Sequence, residues 1–379
     1  MNLVLWLFLS FVPRAVAADP FAGVSAATGP AAFAPEASGT RRFFAENFGF
    51  RKEIMLQYGY GRNQEREKDG RLSGAGARQS LGFEALKKLS SQTQTWASFN
   101  FQGRLVRRDR ATAALNDMEG MRRPGWFFEY HNVYADFYNP LDALLRDEQR
   151  AAMLGRVNIR AGRFYMPFGL NTQTDTHGTV LQLSNERNFG FERDWYAGLW
   201  GSATKDVDYG AYYLAGSGYD LKFKGQGGLA AGRVMLANRF LSDYGVEGGA
   251  SWLSGERLSP EGERVVTRRG GADGRWRRPV PNGTVVWTTE LSDGRDTSDS
   301  VFTQLHQIEY LRASRRWGLA AQFRRFPGES SVIGEATWYL RNDVASSNLH
   351  WIKLNLERQT ERRMGALDSI VTLQYYLYW

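Results

Sequence analysis

The stretch VTLQYYLYW, residues 371–379, alternates without a break. Val371, Leu373, Tyr375, Leu377 and Trp379 fall on one face, and Thr372, Gln374, Tyr376 and Tyr378 on the other. A period of two is a β-strand, and two unlike faces require two unlike surroundings. The same pattern recurs along the chain. In FRKEIMLQYGY, Ile54, Leu56, Tyr58 and Tyr60 oppose Arg51, Glu53 and Gln57. In TQTWASFNFQGRL, Ala97, Phe99, Phe101 and Leu105 oppose Trp96, Ser98, Asn100, Gln102 and Arg104. GRVNIRAG sets Val157, Ile159 and Ala161 against Arg156, Asn158 and Arg160, and RRWGLAAQFRRF sets Trp317, Leu319, Ala321 and Phe323 against Gln322 and Arg324. LHWIKLNLER sets Ile352, Leu354 and Leu356 against Trp351, Lys353, Asn355 and Glu357.

Composition names the two surroundings. Only 42% of the 379 residues are hydrophobic, and the mean hydropathy is -0.45. Beyond the first residues there is no run of the ~20 apolar residues that a spanning helix needs. Yet aromatics make up 14% of the chain, with 12 Trp and 17 Tyr, and there are 41 glycines. A transmembrane β-barrel gives this balance, because lipid-facing and lumen-facing residues alternate and cancel in the mean. A large soluble all-β protein is the competing reading, and the strand-by-strand alternation favours the barrel.

Sixteen strands are expected. Fifteen segments carry the alternation, and such a barrel closes with an even number of strands, both ends on the periplasmic side. The sixteenth is assigned to ERVVTRR, in the gap between Gly255 and Gly283; fourteen or eighteen strands are the alternatives. This order places the tight ASRR connection on the periplasmic side and the longer connections Arg107–Gly125, Met166–Asp194 and Gly255–Glu263 outside. NPLDALLRDEQRAAML falls on the periplasmic side and reads as a short amphipathic helix with Leu141, Leu144 and Leu145 on one face.

Residues 1–17 read as a signal peptide, with an apolar Leu3–Val12 core and an Ala15-Val16-Ala17 cleavage site, although no Lys or Arg precedes the core. Residues 18–47, rich in Ala, Pro, Gly and Ser, form a periplasmic lead-in, and 48–379 form the barrel. Cysteine is absent, which removes thiol catalysis, disulfides and thiolate metal sites. Of the 48 basic residues only 8 are lysine, and the formal net charge is +8. The arginines are scattered through alternating segments instead of gathered in one basic run, so they suit a pore wall better than a nucleic-acid surface.

Two motifs carry a resemblance. An aromatic final residue with hydrophobic residues two, four, six and eight positions before it, here Trp379, Leu377, Tyr375, Leu373 and Val371, resembles the C-terminal signal by which outer-membrane barrels are recognised for assembly. Gly162-Arg163-Phe164 followed by Pro167-Phe168-Gly169 is similar to the strand end and loop entry of the phosphate-selective porin family and related putative porins. DWYAGLWG and DYGAYYLAGSG look like the same family. The resemblance implies an outer-membrane porin. It does not extend to a ladder of lumenal basic residues, so phosphate is not implied as the solute.

The residues themselves locate the expected function. Pro167 removes a ladder donor and ends its strand, and Gly169 allows a sharp turn. The loop from Leu170 to Asp194 then offers Asp175, His177, Glu186, Arg187, Glu192 and Arg193; folded inward, it would narrow the lumen and oppose acidic to basic side chains. Alternation predicts Arg51, Glu53, Arg104, Arg156, Arg160, Arg233, Arg324 and Lys353 on the pore wall. Six arginines and a lysine against one carboxylate predict a modest anion preference. His131, His177, His306 and His350 lie in no metal-ligand spacing, so no catalytic residue, metal or cofactor is expected. The expected partners are outer-membrane lipid, small hydrophilic solutes with anions foremost, the barrel assembly machinery and further copies in a homotrimer. A structural or partner-binding barrel of an envelope complex and an outer-membrane enzyme are the alternatives to a diffusion channel.

Overall fold

The protein, described from a computed structural model, is a closed antiparallel barrel of sixteen strands in which each strand pairs with its chain neighbours and β1 pairs with β16. The structure describes residues 47–379 except 63–72, 91–94, 109–124, 148, 150–152, 171–183, 219–227, 237–244, 260–262, 344–347 and 362–368. The signal peptide at 1–17 and all but the last residue of the lead-in at 18–47 therefore lie outside the described residues.

The strands are β1 (Phe48–Arg62), β2 (Ser73–Ser90), β3 (Thr95–Arg108), β4 (Gly125–Tyr138), β5 (Asn158–Tyr165), β6 (Arg193–Ser202), β7 (Val207–Leu214) and β8 (Gly228–Leu236). They continue with β9 (Val246–Leu258), β10 (Arg264–Val280), β11 (Gly283–Asp296), β12 (Asp299–Arg312), β13 (Trp317–Phe326), β14 (Glu329–Asp343), β15 (Asn348–Glu361) and β16 (Ser369–Tyr378). ERVVTRR lies in β10, which occupies much of the gap left between the alternating segments. A closed barrel leaves no strand without a neighbour on either side.

The alternation sets the faces. In β16, Val371, Leu373 and Trp379 are exposed on the outside while Thr372, Gln374 and Tyr376 are buried inside. The closing seam is in register from Glu53 opposite Tyr378 to Arg62 opposite Ser369. On its inner face Trp351 and Tyr376 stack at 4.5 Å, and the Tyr378 hydroxyl donates to Glu84 at 2.7 Å. At the rim that carries the start of β1 and the end of β16, periplasmic in barrels of this class, the described β10–β11 and β12–β13 turns are tight. Asn282 takes a positive φ of 65° between β10 and β11, and Arg315 takes 56° in the ASRR turn.

The segment between β4 and β5 differs from expectation. Asp142–Leu144 is a single 3-10 turn, and Leu144 is 81% exposed, so Leu141, Leu144 and Leu145 do not form a buried helical face. Asn139 ties the segment instead: its side-chain oxygen accepts from Gly155 N at 2.7 Å, while its own N–H donates to Asn158 Oδ1 at 3.1 Å. Polar capping replaces apolar packing there.

Candidate functional site

The loop after β5 begins where its sequence breaks the ladder. With Pro167 at its centre, Phe168 N donates back to Met166 O at 2.8 Å. Gly169 follows with φ of 64°, a conformation that L side chains rarely adopt. A Cβ at Gly169 would stand 2.3 Å from Glu290 Oε2, so the backbone can approach that carboxylate only as glycine.

This close approach carries the loop inside the barrel. Gly169 N donates to Ser251 Oγ of β9 at 3.0 Å, and Leu170 N donates to Glu290 Oε2 of β11 at 2.9 Å. The Arg233 guanidinium of β8 donates to Gly169 O and makes a two-pronged pair with Asp273 of β10, both contacts 2.6 Å. Beyond the undescribed 171–183, a one-and-a-half-turn helix, α1 (Ser184–Phe189), lies against the same side. Asn185 Nδ2 donates to Phe168 O at 2.8 Å, and Arg257 Nη1 of β9 donates to Phe189 O at 2.9 Å. A loop that leaves between β5 and β6 is therefore pinned to the inward faces of β8, β9 and β11. Two of these bonds link residues 82 and 120 positions apart.

Apolar packing seals the attachment. Phe164, Met166, Phe168, Phe189 and Phe191 bury themselves with Tyr134, Tyr196, Leu214, Leu229 and Leu253 from the inner faces of β4 and β6 to β9. Phe168 and Phe189 meet edge to face at 5.3 Å. Gly271 of β10 makes room, since a Cβ there would lie 2.8 Å from the Phe168 ring.

Of the six charged residues expected on this loop, Asp175 and His177 lie outside the described residues, as do the side chains of Glu186 and Arg187. Glu192 and Arg193 do not oppose each other across a gap. They pair side by side at 2.8 Å, and Arg193 also donates to Tyr165 Oη at 2.5 Å and to Asn132 Oδ1 at 3.2 Å. Both are buried and hold the loop's return to the wall.

The eight residues expected on the pore wall divide unevenly. Arg104, Arg160, Arg233, Arg324, Lys353 and Glu53 are all on the inward face and buried, and Arg51 is half-buried there. Arg156 is exposed in the turn before β5, because the strand starts only at Asn158.

The expected excess of positive charge is not what the wall presents. Each inward cation of that expected set faces a carboxylate: Arg51 with Glu84 at 3.6 Å, Arg104 with Glu53 at 2.6 Å, Arg160 with Asp136 at 2.7 Å and Lys353 with Glu335 at 3.1 Å. Arg324 is held between Glu329 and Glu357. Arg275 with Glu247 at 3.0 Å, and Arg257 and Arg269 on Asp296 at 2.9 and 2.6 Å, extend the pattern. Among the described residues the buried side chains comprise eleven Arg or Lys and twelve Asp or Glu. The one-carboxylate tally fails because partners sit on other strands. Glycines allow the longer spans: Gly82 lies between Glu53 and Arg104, and its Cβ would crowd both, while Gly249 makes way for Arg233. A glycine within a strand is the one sequence signal that marks such a close passage.

The described histidines, His131, His306 and His350, stand on separate strands, and His350 meets the Tyr375 ring edge to face at 5.0 Å. His131 Nε2 lies 3.3 Å from Glu129, and His306 Nδ1 meets Thr289 Oγ1 at 2.9 Å on the outer side, stacked on Phe323. Among the described residues no group of three or more His, Cys, Asp or Glu stands together as a metal site would require.

No protein-family model matches the chain. No curated protein matches it either. Solved structures do. OprB of Pseudomonas putida in its high-pH form superimposes with a TM-score of 0.59 at 10% identity, covering 90% of this chain and 96% of that one. The anion-selective porin of Comamonas acidovorans gives 0.54 at 9% identity, over 87% of this chain and 98% of that one. The fold is that of a porin. At such identities the likeness concerns architecture alone, and the narrower resemblance to phosphate-selective porins gains nothing from either match.

Proposed function

We propose that the protein is an outer-membrane porin, a passive channel for small hydrophilic solutes, with no catalytic step. The observation that carries this reading is the loop pinned inside the barrel by Gly169 and Leu170, in a barrel whose inner wall is polar outside the loop's apolar anchor and a few further apolar side chains, and whose outer wall is mainly apolar. A loop held inside a barrel sets the narrowest cross-section, and ion-paired walls let water and polar solutes pass without a fixed binding site.

The anion preference follows in reduced form. Paired cations contribute dipoles instead of a field of one sign, so selectivity is weak, and its anion-side direction rests on the formal net charge of +8 and not on the paired wall. The pore-lining set is Arg51, Glu53, Arg104, Arg160, Arg233, Arg324 and Lys353, together with their carboxylate partners. Val371, Leu373, Tyr375, Leu377 and Trp379 serve the assembly machinery, and a homotrimer is the expected assembly.

Planar-bilayer recording with a salt gradient tests this. Discrete open steps with a small anion-side reversal potential are expected. A folded barrel that conducts nothing overturns the channel and favours a structural barrel, a reading supported by the buried inward side chains Val301, Leu305, Phe326 and Ile333.

A further inference from the structure

The outer wall carries a hollow of about 450 Å³, spanning β1 to β5. Its shape follows from the register. On the outward face Phe48 sits opposite Lys87, Lys87 opposite Phe99, Phe99 opposite Ala135, and Ala135 opposite Ala161. In the next row Ala85 is followed by Phe101 and Val133. Side-chain height therefore drops abruptly from phenyl rings to methyl groups, leaving a trough with an aromatic bank and an alanine floor. The bank is reinforced by the Phe50, Phe83 and Phe101 rings, in contact at 5.9 and 5.7 Å.

The position along the barrel is informative. Phe48 is the first residue of β1, and Lys87 is three residues from the end of β2 at Ser90, so the hollow opens near the periplasmic rim. The outward charges of that half have one sign. Lys52, Lys87, Arg278, Arg312 and Arg341 are described on the outer face there, with no carboxylate among the described outward strand side chains. Lys52 lies 6.0 Å from the Trp379 ring and Arg312 5.7 Å from the Trp317 ring, the pairing of basic and aromatic groups expected at a membrane interface.

We infer that the hollow is a binding site for one anionic phospholipid, with an acyl chain against Ala135 and Ala161 between the phenylalanines and the phosphate at Lys87. Charge favours a lipid over a second copy of the chain: the charges described on the outward strand faces of this half are basic, so two copies would bring like charges together, whereas a phospholipid supplies an acyl chain and an anion together. Attraction between a lysine and an anionic headgroup favours such a lipid over a zwitterionic one by roughly fivefold.

The test is native mass spectrometry of the full chain, folded in detergent and titrated with phosphatidylglycerol or phosphatidylcholine. The parent protein is expected to hold one phosphatidylglycerol more tightly than phosphatidylcholine, by roughly fivefold. Ala161→Trp, which fills the floor, should abolish that bound lipid, and Lys87→Gln should leave one lipid bound with the headgroup preference gone. Circular dichroism and gel migration confirm folding, and Ala135→Leu serves should the tryptophan variant not fold. Equal retention by parent and floor-filling variants overturns the site, and an unchanged preference in Lys87→Gln overturns the phosphate contact. A change in oligomer size with the lipid count intact would show instead that copies of the chain meet there. Lipid is counted on the folded barrel, so the result stands apart from whether the protein conducts.

Discussion

The wall from β5 to β8 and the wall from β9 to β12 enclose the same interior with different chemistry. The first has strands of 8, 10, 8 and 9 residues, the second strands of 13, 17, 14 and 14. Inside the short wall the pairing row runs Tyr134, Gly162, Tyr196, Leu214 and Leu229, and the next adds Tyr212, Ala231 and Leu253. Inside the tall wall stand Glu247, Ser251, Asp273, Arg275, Glu290 and Ser292, hydrogen-bonded or ion-paired. The difference lies in what each wall faces. The loop presses Met166, Phe168, Phe189 and Phe191 onto the short wall, so its inner face becomes a core of the kind found in soluble proteins. The tall wall meets the loop through backbone hydrogen bonds and the space Gly271 leaves for Phe168, and it presents charge pairs beside a few buried apolar side chains such as Val286, Val301 and Leu305. An inward position in a barrel is polar only where water or another polar group reaches it.

Substitutions can break or sharpen this contrast. The largest effect is expected for Phe168→Ala, which empties the apolar anchor and should cost about 3–5 kcal/mol in urea unfolding, with larger single-channel conductance as the loop loosens. In the tall wall, Lys353→Met alone should cost about 3 kcal/mol by leaving Glu335 buried without its partner, whereas Lys353→Met with Glu335→Met should come within about 1 kcal/mol of the parent. A double-mutant cycle showing no coupling would remove the argument that this wall is held by matched pairs. Gly169→Ala forces a side chain into a left-handed backbone against Glu290 and should cost roughly 1–3 kcal/mol, and conductance should again rise; unchanged conductance would mean that this attachment does not define the pore. The smallest effect is reserved for Lys205→Ala, since the Lys205–Asp206 pair is 4.0 Å apart with the lysine 81% exposed. A loss above about 0.5 kcal/mol there would contradict the weak contribution of solvent-exposed pairs.

The same contrast explains what could be read in advance. Strands β1, β3, β13, β15 and β16 were legible because each separates lipid from a polar interior, so period two is written as a chemical alternation. In the short wall β5 is written as the alternation of GRVNIRAG, whereas β6 is marked mainly by the family-like DWYAGLWG, since Trp195, Tyr196, Leu199 and Trp200 do not alternate in polarity. Pro167 and Gly169 marked the loop entry correctly, but Glu290, Ser251 and Asp273 could not be foreseen as its anchors. They belong to strands some 80 to 120 residues later, and nothing local to them records the contact. Arg156 was misplaced for a simpler reason: the alternation of GRVNIRAG begins before the strand does.

By itself the sequence determined the strand period, the even strand number, the two faces and the entry of the inner loop, because each depends on side-chain alternation or on the backbone limits of proline and glycine. The tertiary structure decided which strand residues stand opposite one another. That choice turned an apparent ladder of arginines into matched ion pairs, placed Gly82 and Gly249 beneath them, and set Phe99 beside Ala135 to open a hollow on the outer wall. Alternation fixes a residue's face, but register fixes its neighbours, and register exists only once the barrel has closed.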